Sequence, residues 1–182
     1  MNEGVSHVDT VHVAIHRGTA LIRVSGRGSF KTGSSLKEFA VSASLQGTRC
    51  FVFDMEDCVS MDSTFMGVIA GLALRMKRDA AGEVVMMNLS AKTMSLLETL
   101  GLDRLIRTFA SGEVPDELRG LLADVTTLSG FSPEQGDGKL TLETMLAAHE
   151  DLVEADPANL PKFQNVIDYL SQDLRELESG QG

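Results

Sequence analysis

The sequence predicts a mixed α/β domain, a four- to five-stranded sheet with helices, extended by a C-terminal helical hairpin. Three observations lead there. Apolar runs of strand length alternate with segments of helical period over residues 8–110. Charge then changes abruptly: residues 1–110 carry 12 basic and 11 acidic side chains, residues 111–182 carry 4 and 15. Finally, two amphipathic segments near the end flank "DPANLP", a stop-and-restart signal for helices. The expected organisation is therefore a sheet domain over 1–110, an acidic linker with a short helix over 111–139, and an amphipathic hairpin over 140–182.

The elements follow in order. "VHVAIHRG" alternates, with Val11, Val13 and Ile15 on one face and His12, Ala14 and His16 on the other, as a half-buried strand requires. "TALIRVSG" follows across Gly18, close enough for a hairpin. "SSLKEFAVSASL" brings Leu36, Phe39, Ala40, Ala43 and Leu45 near one helical face. "RCFVFDM" is a continuous apolar run, which suits a central strand. Helical spacing returns after Ser63 at Val68, Leu72, Leu74 and Met76, and stops at Gly82. "EVVMMNLS" reads as a strand, "AKTMSLLETLGLDRLI" as a helix with Met94, Leu97, Leu100 and Leu105 inward, and "RTFAS" as a short last strand. Strands alternating with helices imply a mostly parallel sheet joined by right-handed crossovers, with the opening hairpin as an antiparallel edge.

The tail differs in kind. "DELRGLLADV" is a short helix and "SGFSPEQGDGK" a turn-rich linker. Leu142, Met145, Leu146, His149, Leu152 and Val153 form one stripe. Leu160, Phe163, Val166, Ile167, Leu170 and Leu174 form a second. That apolar side must be buried against the sheet domain, a second copy or another partner, so self-association through the hairpin is among the expectations.

Composition narrows the function classes. With 43% hydrophobic and 23% charged residues the chain is globular, and a net charge of -10 speaks against nucleic acid. "MNEGVSHVDT" has no signal-peptide pattern, and no apolar run approaches the roughly 20 residues of a membrane span. A cytoplasmic protein without membrane insertion is expected, with Cys50 and Cys58 reduced. His7, His12 and His16 lack neighbouring carboxylates, so no metal is expected. "GRGSFKTG" lacks phosphate-loop spacing and is a turn. Asp54 ends a strand as a receiver's acceptor would, but "VAIHRG" supplies no acidic pair. Ser63 has no histidine near it in sequence and no "GxSxG" around it. Neither an enzyme nor a cofactor is therefore expected.

The remaining signal is the loop after the central strand. Functional groups gather at the carboxyl ends of strands in open α/β sheets. Asp54 through Met61 leave the third strand there, and Gly28 and Ser29 leave the second. Asp62 or Ser63 caps the next helix, where free amides and the dipole tolerate an anion. A phosphate on Ser63 would add about -1.5 to -2 charges, next to Asp57 and Asp62.

The stretch "MDSTFMGVIAGLALRMKRDAAGEVVMMNLSAKTMSLLETLGLDRLI" resembles the STAS domain of bacterial anti-sigma-factor antagonists. "MDSTFMG", "VVMMNLS", "ETLGL" and the earlier "LIRVSGRGSF" carry the likeness, which spans roughly residues 8–110. The resemblance implies a regulatory module without catalysis. Dephosphorylated, it binds an anti-sigma factor that is also a serine kinase; phosphorylation of the motif serine releases it, and a metal-dependent serine phosphatase resets it. Carried over, Ser63 is the phosphoacceptor and Thr64 the second hydroxyl. Asp62, Ser63, Thr64, Phe65, Met66, Gly67, Ser29 and Asp57 form the partner surface, Gly67 allowing close approach. Two departures stand out. Phe65 and Met66 replace the family's Gly-Leu, to anchor a different partner or block the usual one, and Ser29 stands where an acid is common. The alternative implied is a non-switching STAS adaptor in a transport ATPase or larger signalling assembly, with Phe65 and Met66 as permanent anchors.

Overall fold

The computed structural model describes residues 9–79, 82–125, 127–131 and 137–180. His7 and residues 132–136 of the expected linker lie outside them. Strands β1 (Thr10–His16) and β2 (Thr19–Gly28) form the antiparallel hairpin, in register from Thr10 opposite Ser25 to His16 opposite Thr19. Arg17 and Gly18 both have positive φ, the conformation of a tight hairpin turn. Helix α1 (Phe30–Leu45) crosses over to β3 (Cys50–Asp54), and α2 (Ser63–Arg78) to β5 (Glu83–Leu89). Helix α3 (Ala91–Thr99) and a 3-10 turn (Leu102–Arg104) lead to β6 (Arg107–Ala110). Parallel pairing of β2 with β3, β3 with β5 and β5 with β6 makes the expected mixed sheet.

Two short strands enlarge it. β4 (Cys58–Met61), in the stretch expected as loop, pairs in parallel with β2 over Gly26–Gly28, with Val59 left out of the register. β7 (Ser129–Phe131), from the expected linker, pairs antiparallel with β1. The main order is β6-β5-β3-β2-β1-β7. Neither short strand has the length or alternation that marks a strand locally; both exist because an edge offers unpaired amides and carbonyls.

Alternation along β3 divides the core. Phe51 and Phe53 face the cluster shared with α1, α2 and α3. Val52, with Leu21, Val85 and Met87, faces Leu118 of α4 (Asp116–Asp124), so both faces of the sheet are covered. Val11 and Val13 are buried as expected, whereas Ile15 at the end of β1 is 48% exposed. Asp54 is a structural residue: its carboxylate accepts from Arg23 Nε at 3.1 Å and Asn88 Nδ2 at 2.9 Å. Cys50 and Cys58 are free thiols. No described helix is long and apolar enough to cross a membrane.

The tail folds back. α5 (Gly138–Ala155), a 3-10 turn (Pro157–Asn159) and α6 (Leu160–Ser179) form the hairpin, and α5 lies along α2 and α1 of the same chain. Burial in cis is thus the hairpin's destination here. The α5 face against α2 takes only part of the expected stripe: His149 and Leu152 are buried together with the small residues Thr144 and Ala148, while Leu142, Met145, Leu146 and Val153 are half-buried. α2 is therefore covered on two sides, which explains the unbroken burial from Thr64 to Ala70.

Buried Asn159 ties the turn down. Its Nδ2 donates to Leu100 O at 3.0 Å and Leu152 O at 2.9 Å, and its Oδ1 accepts from Lys162 Nζ at 2.9 Å. Asn159→Ala takes the side-chain donor from buried Leu100 O, while Leu152 O keeps the Asp156 amide, so a loss of about 1–2 kcal/mol is expected in urea unfolding of the full chain.

Candidate functional site

The site begins with one carboxylate. Asp62 has extended backbone and caps α2, its Oδ1 accepting from Phe65 N at 2.8 Å. Its Oδ2 accepts from Phe30 N at 2.7 Å, the first amide of α1. One side chain thus joins two helix starts, and Asp62 N–H donates to Gly28 O at 2.9 Å. Ser29 caps α1; its N–H donates to Thr32 Oγ1 at 3.3 Å.

With Asp62 as the cap, Ser63 is the first helical residue, and its hydroxyl is not consumed by the backbone. This corrects the expectation that Ser63 could both cap the helix and carry the modification. The half-buried Ser63 Oγ instead lies 2.9 Å from His149 Nε2 on α5. His149 is 2% exposed, and its Nδ1 lies 2.7 Å from Met145 O. A carbonyl only accepts, so Nδ1 carries a proton, and in the neutral ring Nε2 accepts from the Ser63 hydroxyl. Phe163 of α6 closes over the imidazole, its ring centre 5.3 Å away.

A hydroxyl–imidazole pair is the start of a nucleophile and base, but the third partner here is a neutral carbonyl rather than a carboxylate. The amide of Phe65, which could steady an oxyanion, is already given to Asp62. Among the described residues no three of His, Cys, Asp and Glu gather as metal ligands.

Other residues of the expected partner surface lie elsewhere. Thr64 and Phe65 are 3% and 0% exposed and Met66 is 4%, all turned into the core. Thr64 is therefore no second acceptor in this state, and Phe65 and Met66 offer neither an anchor nor a block at the surface. The Phe65 ring occupies the space over Gly28 that a Cβ would need. Asp57 precedes β4, its carbonyl accepting from Gly26 N at 3.0 Å, while Asp62 follows β4.

The structure adds residues that the sequence patterns left out. A Cβ on Gly67 would collide with the Ala148 backbone, and one on Gly71 with the Asp151 carboxylate. Ser63, Gly67 and Gly71, four residues apart, let α5 approach α2 closely, with Thr144 and Ala148 as the matching small positions. The i, i+4 recurrence of small residues was the available signal. Ser34 Oγ donates to Thr144 Oγ1 at 3.2 Å, and Arg78 pairs with Glu154 at 2.8 Å.

Between α1, α2 and α5 lies a cavity of about 120 Å³, lined among others by Lys37, Val68, Gly71, Arg75 and Asp151. Burial there pushes the Asp151 carboxyl up from 3.8 to about 6; Glu154 and Glu150 add to this, and Lys37 and Arg75 oppose it. The folded value lies above the unfolded one, so this stabilisation is complete below pH 3.8 and lost as pH rises through about 6. The full difference would approach 3 kcal/mol, and partial solvation reduces it to about 1 kcal/mol. Asp151→Asn should therefore raise hairpin stability at pH 7.5 and flatten its dependence between pH 4 and 7, read by chemical unfolding at each pH.

The STAS domain family model matches residues 10–113. No curated protein sequence matches the chain. The crystal structure of TM1081 from Thermotoga maritima, a candidate anti-sigma factor antagonist, aligns with a TM-score of 0.52 at 15% identity, over 61% of this chain and 92% of that one. An anti-sigma factor antagonist from Mycobacterium paratuberculosis gives 0.49 at 17% identity, over 68% and 100%. Unphosphorylated SpoIIAA also gives 0.49 at 17% identity, over 63% and 99%. The likeness to TM1081 speaks for the fold. The family match ends before α4, so His149 and the hairpin lie outside it.

Proposed function

The chain belongs to the STAS domain family, and from that premise we propose that it is a regulatory binding module of the anti-sigma-factor-antagonist type, switched by phosphorylation of Ser63. In its dephosphorylated form it docks a serine-kinase anti-sigma factor through the start of α2. Phosphorylation ends the docking and a serine phosphatase restores it. The observation that carries this reading is the division of labour at α2: Asp62 takes the capping bond, leaving the Ser63 hydroxyl at the electropositive helix end without a backbone role.

The transfer balances simply. Ser63 Oγ bonds to the γ-phosphorus of a nucleoside triphosphate held by the kinase, and the bond from that phosphorus to its bridging oxygen breaks. The nucleoside diphosphate leaves, and the hydroxyl proton passes to the kinase's base. The adaptor alternative relied on Phe65 and Met66 as surface anchors, and both are buried.

The test is peptide mass spectrometry of the full chain recovered from its native cells, together with pull-downs by wild type, Ser63→Ala and Ser63→Asp. Phosphate at Ser63, with a kinase captured by wild type and Ser63→Ala but not by Ser63→Asp, is the expected result. Equal capture by all three variants would remove the switch.

A further inference from the structure

The surface a partner of α2 would need is already occupied by the chain itself. Along α2, Gly67 meets the Ala148 backbone and Gly71 meets Asp151. The Ser63 hydroxyl is held by His149 at 2.9 Å. We propose that α5 and α6 are a built-in cover for the docking face of α2, latched by the Ser63–His149 hydrogen bond, and that a seated cover and a phosphoryl group on Ser63 exclude each other. This rests on the reading of Ser63 as the modified hydroxyl and adds how access to it is controlled.

Ala148 and Leu152 join the main core, and three further features make the contact a latch. The first is its chemistry: Thr144, His149 and Asp151 meet Ser34, Ser63, Lys37 and Arg75, a half-polar contact of the kind found between parts that separate and rejoin.

The second is anchorage. Asn159 bonds to Leu100 O, Lys162 Nζ donates to Thr99 O at 2.9 Å, and Arg104 lies 3.7 Å from Asp156. The turn between α5 and α6 is thereby held on the sheet domain. α5 can then leave α2 while its C-terminal end stays tethered, which keeps the cover at high local concentration.

The third is the geometry at the hydroxyl. His149 is 2% exposed, and Nδ1 is committed to Met145 O. Phosphorylation removes the one proton that Ser63 donates and places a tetrahedral dianion in a 2.9 Å gap. In the closed arrangement it would press on the buried His149 ring with no proton left to hold the contact. A kinase likewise has to break the Ser63–His149 hydrogen bond to use Oγ. Any partner helix that docks along Gly67 and Gly71 must present the small-residue face that α5 presents now, and so competes with it.

The experiment installs phosphoserine at position 63 of the full chain by genetic code expansion, so no kinase is required. Hydrogen–deuterium exchange is compared among this protein, wild type and Ser63→Ala. Phosphoserine is expected to speed exchange about tenfold across α5 and α6, with β3 and β5 unchanged, and treatment with a general phosphatase to reverse it. Ser63→Ala, which loses one hydrogen bond but gains no charge, should stay within a few-fold of wild type.

A second arm locks the cover. In S34C/T144C, built where the two hydroxyls lie 3.2 Å apart, oxidation should abolish the phosphoserine effect and dithiothreitol restore it. Unchanged exchange in α5 and α6 with phosphoserine present would overturn the proposal, because the cover would then accommodate the phosphate. Equal loss of protection in β3 and β5 would overturn it too, because the fold would then be failing as a whole. Neither outcome depends on whether cells phosphorylate Ser63, which the peptide mass spectrometry above decides separately.

Discussion

Gly67→Ala in the full chain is expected to lift α5 from α2 while leaving the sheet domain intact. Alanine is the better helix former by about 1 kcal/mol, so α2 itself gains. The added methyl, however, meets the carbonyl and carbonyl carbon of Ala148. A helix backbone cannot rotate aside as a side-chain tip can, and overpacking of this kind costs about 1–3 kcal/mol. The cost falls on the α2–α5 contact alone. Exchange across α5 should therefore rise at least about fivefold, with β3 and β5 as unchanged references. Gly71→Ala is the internal control: its methyl meets the carboxylate end of Asp151, which can swing away, so exchange should stay near wild type. If Gly67→Ala leaves α5 as protected as before, the close packing at Ala148 does not hold the cover.

Asp62→Ala should give the largest loss of stability at the site. The substitution removes the cap of α2 and the acceptor for the first amide of α1 together. A lost cap is worth about 1 kcal/mol, and a charged acceptor to a partly solvated amide about as much again. The expected total of about 2 kcal/mol corresponds to roughly 4–8 °C in Tm for a chain of this size. Asp62→Asn keeps one carbonyl oxygen and should fall between the two. A thermal shift below about 1 °C for Asp62→Ala would show that the two helix starts do not depend on this carboxylate.

Much of the architecture is legible because its signals are local. Val11 and Val13 mark β1 by alternation, the run at Phe51–Phe53 marks the central strand, and the i, i+4 stripes mark α1 and α2. The misses have one cause. β4 holds only "CVSM" and exists because β2 continues past its pairing with β3 to meet it. β7 is three residues long and completes the edge of β1. On α5 the apolar stripe included His149 and Leu152, which are buried, and Leu142, Met145, Leu146 and Val153, which are only half-buried, whereas the small residues Thr144 and Ala148 of the buried face lay outside it. Hydrophobicity ranks residues by transfer free energy, whereas two helices that approach closely select for small volume.

From its sequence alone this protein was bound to form a mixed strand–helix domain with helices after it, and to place Ser63 at the start of α2, because periodicity, glycine stops and capping act over a few residues. Only the tertiary structure decided that Asp62 rather than Ser63 is the cap, that Phe65 and Met66 turn inward, and that His149, 86 residues away in the chain, receives the Ser63 hydroxyl. That pairing depends on the shape match between Gly67 and Ala148 and on the anchorage of Asn159. Neither exists until the chain has closed on itself.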